Sequence, residues 1–75
     1  MHIEQLVTMA NDIAAFFHGA ADRNEAAQSV ATHLRRYWDP RMRKQIIAHQ
    51  QAGGAGLSEL AQAGVVLLAE SVANA

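Results

Sequence analysis

The sequence predicts an all-α protein: a small bundle of three to four short helices, completed by packing on a partner. Three observations lead there. Apolar residues recur at three- and four-residue intervals, and sheet-favouring runs of β-branched and aromatic residues are absent. Alanine, the strongest helix former, occurs 16 times. Local stop and start signals then cut the 75 residues into four segments. Such a length holds one domain, residues 1-75, and a chain with no cysteine has neither disulfides nor thiolate metal sites to reinforce it. The hydrophobic share of 51% overstates the available core, because alanine adds little volume. That shortage is the reason to expect a partner surface.

The first helix is expected from about His2 to His18. Ile3, Leu6, Val7, Ala10, Ile13, Ala14 and Phe17 share one face, Phe16 widens it, and Gly19 ends the helix in a left-handed conformation. Asp22 and Glu25 have the spacing of a capping box and start the second helix. Its apolar face runs through Ala27, Val30, Ala31, Leu34, Tyr37 and Trp38.

Asp39-Pro40 is the sharpest boundary. Proline disfavours helical geometry in the residue before it but suits the first position of a new helix, for which Asp39 is the cap. The third helix therefore runs from Pro40 to about Gln51, with Met42, Ile46 and His49 on one stripe and Arg43 and Ile47 on the next. Residues 52-56, Ala-Gly-Gly-Ala-Gly, read as a flexible C-cap and linker; no strand precedes them and no Gly-Lys-Ser/Thr follows, so they are not a phosphate loop. Ser58 caps a fourth helix from Glu59 to about Val72. Leu57, Leu60, Ala61, Gly64, Val65, Leu68 and Val72 line one side of it, and Gly64 permits close helix approach.

Charge is distributed unevenly. Between His33 and Lys44 lie five basic residues and the single acid Asp39, whereas outside that window Arg23 stands against six acids. One corner of the fold is therefore positive. No apolar stretch is long enough to span a bilayer and no signal-peptide pattern opens the chain, so a soluble, cytoplasmic protein with no membrane association is expected.

Catalytic and metal chemistry is missing from the pattern. His2, His18, His33 and His49 are far apart, and none has another histidine at the helical i+4 spacing of a metal pair. His2 and His18 read as helix-end residues, His33 as a partly buried or solvent-facing position, and His49 as a hydrogen-bond donor at the end of the third helix. Short helices with little bulk do not enclose a cleft, so the expectation is no catalytic, cofactor-binding or metal residues and no enzyme activity of the chain's own.

The distinctive side chains are concentrated in Arg35, Arg36, Tyr37, Trp38, Asp39, Arg41, Met42 and Arg43. Arginine, tryptophan, tyrosine and methionine are enriched in interfaces, which makes this block the candidate partner-binding segment. A structural role competes with that reading: Trp38 with Leu34 can plug the core, and Asp39 can pair with Arg43 across one turn. The structural set is Asp22, Glu25, Asp39, Pro40 and Gly64. Nucleic acid is the rival partner, since a basic helix follows a tight turn; few base-reading side chains follow Pro40, however, and the rest of the chain is acidic.

Met9-Ala10-Asn11, Ile13 and Phe16-Phe17, followed by His33-Leu34-Arg35-Arg36, Trp38-Asp39-Pro40-Arg41-Met42-Arg43 and His49, together resemble the small delta subunit of soluble NAD-dependent formate dehydrogenases. The likeness extends from about Leu6 to His49, with a weaker segment from Gly56 to Ala69. Asp12 stands where the family often has a neutral amide, and Tyr37 where it often has phenylalanine. The resemblance implies a cytoplasmic accessory protein of a complex that oxidises formate to carbon dioxide and reduces NAD. It also implies that the molybdenum or tungsten pterin cofactor, iron-sulfur clusters, FMN and NAD belong to the alpha, beta and gamma subunits, and that the alpha subunit is the delta chain's partner. With no cysteine, this chain offers no thiolates to an iron-sulfur cluster. A transient maturation or cofactor-insertion factor for the same large subunit is the nearest alternative, and a small helical regulatory or nucleic-acid-binding protein the next.

Overall fold

A computed structural model describes residues 2-19 and 22-73 of the chain. Four helices follow in order: α1 Ile3–Phe17, α2 Arg23–Tyr37, α3 Pro40–Gln51 and α4 Glu59–Ala73. The most extensive packing joins α2 to α4. Helix α1 touches all three others, and α3 lies against α4 and α1.

Each boundary has a local cause. The His2 carbonyl accepts the amides of Gln5 and Leu6, which starts α1 without a side-chain cap. At its other end the expected left-handed Gly19 is corrected. The chain leaves the helix through right-handed His18, whose amide reaches Ala15 O, and Gly19 is not among the positive-φ residues. The Asp22 carboxylate accepts the Asn24 amide at 2.8 Å, and Glu25 sits exposed in the first turn of α2. The reciprocal half of the capping box is not formed, since no bond returns from Glu25 to the Asp22 backbone among the described residues.

The turn between α2 and α3 occupies only two residues. Trp38 and Asp39 are both extended, the conformation that Pro40 favours in Asp39 before it, and Pro40 opens α3 while Asp39 Oδ1 accepts the Met42 amide at 2.9 Å. At the end of α3, the Gly54 amide reaches His49 O and the Gly53 amide reaches Gln50 O, the paired bonds of a Schellman cap. Gly53 takes φ 122°, a value that L side chains rarely adopt. Helix α4 starts with the Ala61 amide donating to Ser58 Oγ at 3.2 Å.

The core is contiguous. Leu6 of α1, Val30 and Leu34 of α2, Ile46 of α3, and Val65 and Leu68 of α4 are fully enclosed, with small alanines filling the spaces between them. Ala10, Ala14, Ala26, Ala27, Ala31 and Ala61 let the helix backbones approach closely, so volume is gained by proximity rather than by bulk. Three residues expected on apolar faces turn outward: Phe16 is 81% exposed, Tyr37 70% and Val72 53%. Phe16 and Tyr37 lie near helix ends where the neighbouring helix no longer covers them, and Val72 is in the last turn of α4.

Candidate functional site

The Trp38 to Arg43 block splits into two groups when it folds. Trp38 is buried with only 5% of its surface exposed and belongs to the core cluster. Asp39 caps α3, Met42 is half-buried against the core, and the Arg43 guanidinium donates from Nη1 to the carbonyls of Arg35, at 3.2 Å, and Trp38. These carbonyls lie at the C-terminal end of α2, where backbone acceptors lack helical partners and the helix dipole favours a cation. Arg43 therefore ties α3 to the end of α2. The surface pair expected between Asp39 and Arg43 is corrected on this geometry, because each side chain is engaged by backbone instead.

The second group faces solvent. Arg35, Arg36, Tyr37, Arg41 and Lys44 are exposed, and none of the four cations forms an ion pair among the described residues. The one ion pair there is Arg23 with Glu59, 2.8 Å apart across α2 and α4. Both ends are largely exposed, so solvent screens the pair and it contributes little stability.

Next to this corner is an arrangement that the sequence reading missed. Phe16 meets Phe17 edge to face with ring centroids 5.1 Å apart. Phe17 meets His33 at 6.4 Å, and His33 lies over Tyr37 at 4.7 Å. A row of rings thus passes from the end of α1 to the end of α2, and Phe17, His33 and Tyr37 of that row line a shallow groove of about 580 Å³ with Gln28, Thr32, Arg36 and Glu25. The available signal was the i, i+4 spacing of His33 and Tyr37, which stacks them on one face of α2. Helical periodicity within α1 could not show that Phe17 would reach that face.

A larger cleft of about 760 Å³ lies between α1, α2 and the start of α4. Most of its polar groups are already committed. Asn11 donates to Gly56 O at 2.9 Å and accepts the Ser58 amide at 2.8 Å, while Arg23 and Glu59 pair with each other. His49 Nε2 donates to Ala55 O at 2.8 Å, so the 52-56 connection bonds to both α3 and α1. His2 and His18 are exposed, and His18 lines this cleft. Among the described residues no group of three or more histidines, cysteines, aspartates or glutamates is placed to hold a metal ion, and no helix is long and apolar enough to cross a membrane.

The family model of the NADH-dependent formate dehydrogenase delta subunit, FdsD, matches residues 5–65. No curated protein and no solved structure matches the chain. The matched span covers α1 from Gln5 onward, α2 and α3 with the Trp38-Asp39 elbow between them, the glycine loop and nearly half of α4, and includes Asn11, Trp38, Asp39, Pro40 and Arg43, which hold these parts together. On that match, the chain belongs to the family of formate dehydrogenase delta subunits.

Proposed function

We propose that the chain is a non-catalytic accessory subunit of an NAD-dependent, molybdenum- or tungsten-containing formate dehydrogenase, and that it supports assembly or stability of the catalytic alpha subunit. The family match over residues 5–65 carries this reading. The pterin cofactor, iron-sulfur clusters, FMN and NAD then reside in the alpha, beta and gamma subunits, in keeping with the absence of cysteine from this sequence. Within the elbow, Arg35, Arg36, Tyr37 and Arg41 are the side chains available to a partner. Trp38, Asp39, Met42 and Arg43 act beneath them by fixing the angle between α2 and α3.

Co-expression of the tagged chain with the large subunits tests the proposal, using size-exclusion chromatography and quantitative mass spectrometry of the active peak. Stoichiometric retention at moderate salt is expected. Full activity and cofactor content without the chain, together with no co-elution, would overturn the accessory role. Cofactor loss in its absence without co-elution would replace permanent association with transient maturation.

A further inference from the structure

Three of the four aromatic residues, Phe16, Phe17 and Tyr37, are gathered with His33 on one surface, while Trp38 alone is in the core. Core volume is scarce in so alanine-rich a chain, yet two of its largest side chains, Phe16 and Tyr37, are left mostly in water. Their positions are not isolated, because the rings form one continuous row across two helices. Exposed apolar area of this continuity marks a contact surface rather than scattered surface hydrophobes.

The rim supplies the second observation. Arg36 borders the groove, Arg35 adjoins it in sequence, and neither pairs with an acid of this chain among the described residues. Glu25 lies at the other end of the groove, where it disfavours a partner that is acidic throughout. The geometry points to a docking surface for a protein segment that lays an aliphatic or aromatic side chain against the exposed faces of this row, from Phe16 to Tyr37. Its flanking carboxylates would meet Arg36 and Arg35. Rings provide area at low entropic cost and guanidinium groups provide charge-assisted, bidentate bonds, a pairing that suits a protein partner with an acidic margin. The proposal rests on the accessory-subunit reading, and it assigns this surface to the contact with the alpha subunit.

The test compares the full chain with F16D/Y37D, R36E and the control V66D in binding to the purified alpha subunit by biolayer interferometry. Val66 is an exposed apolar residue of α4 outside the aromatic row. Circular dichroism and thermal melting of each free chain establish folding. The expected result is a loss of about 30-fold or more in affinity for F16D/Y37D with an unchanged melt, the scale of a lost hot spot. R36E should weaken binding about tenfold and flatten its salt dependence, and V66D should bind as the parent chain does. Unaltered affinity of F16D/Y37D alongside good binding of the parent chain would refute this surface but leave the accessory role standing. No binding by the parent chain would remove both, and binding to anionic vesicles or to duplex DNA instead would assign the patch to another class of partner.

Discussion

Gly64 of α4 and Val30 of α2 share a space that admits only one side chain. A Cβ on Gly64 would fall 2.7 Å from the Val30 Cβ and 3.4 Å from the Ala27 carbonyl oxygen, at the most extensive helix contact of the fold. Glycine in mid-helix has a propensity cost of about 1 kcal/mol relative to alanine, so its presence here is offset by the close approach it permits. Gly64→Ala is expected to lower stability by about 1 to 3 kcal/mol through overpacking, despite its better helix propensity. Urea unfolding of G64A, V30A and the double variant checks this. The two changes should couple by about 1 kcal/mol or more, whereas stabilisation by G64A alone would show that α4 shifts freely away from α2.

Asn11 joins α1 to the connection before α4 through both atoms of its amide. Asn11→Ala should cost about 1 to 2 kcal/mol, because two backbone groups lose their partner. Asn11→Asp retains an acceptor for the Ser58 amide but no donor for the Gly56 carbonyl, and should recover part of the loss. Hydrogen exchange at the Ser58 amide is the direct readout, with faster exchange expected in N11A than in N11D.

The two arginines of the elbow should separate cleanly. Arg43→Ala removes the donor to the Arg35 and Trp38 carbonyls and is expected to destabilise the free chain by about 1 to 2 kcal/mol. Both bonds come from the single Nη1, one atom farther along its side chain than a lysine Nζ, so lysine should restore them only in part. Arg41→Ala, at an exposed position, should remain within about 0.5 kcal/mol of the parent chain. Equal melting temperatures for R43A and R41A would contradict the capping role of Arg43.

Trp38 provides both a perturbation and a probe. It is the sole tryptophan, and its burial predicts blue-shifted emission that moves to longer wavelength on unfolding. Trp38→Ala should cost about 3 to 5 kcal/mol, enough to unfold much of so small a domain. Trp38→Phe should retain the fold with a lower midpoint. A native-like melt for W38A, with binding lost, would move this residue from the core to the interface.

Much of the local structure was legible in the sequence. Asp39-Pro40 and Ser58 gave helix starts because caps and proline act within a few residues and depend little on the rest of the fold. Leu6, Ala10, Val30, Leu34, Ile46, Val65 and Leu68 were legible as inward positions because helical periodicity reports a face. Phe16, Tyr37 and Val72 were misread on the same basis. Periodicity gives the direction of a side chain about its own helix, but whether another helix lies opposite depends on where that neighbour ends.

The candidate site was less legible for a related reason. The elbow was visible as an unusual block, but types such as tryptophan and arginine serve a core or a cap as well as an interface. Only the packing of α2 and α3 divided them, enclosing Trp38, spending Arg43 on carbonyls and leaving Arg35, Arg36, Tyr37 and Arg41 in solvent.

By itself the sequence determined four helices, most of their limits and the family resemblance, since these follow from short-range propensity, capping and motif spacing. The tertiary structure alone decided that Asn11 would meet Gly56 and Ser58, that Gly64 would receive Val30, and that Phe17 would reach His33. Each of these contacts joins residues on different segments. They are set by how helices cross and how far each extends, geometry that no single helix's periodicity contains.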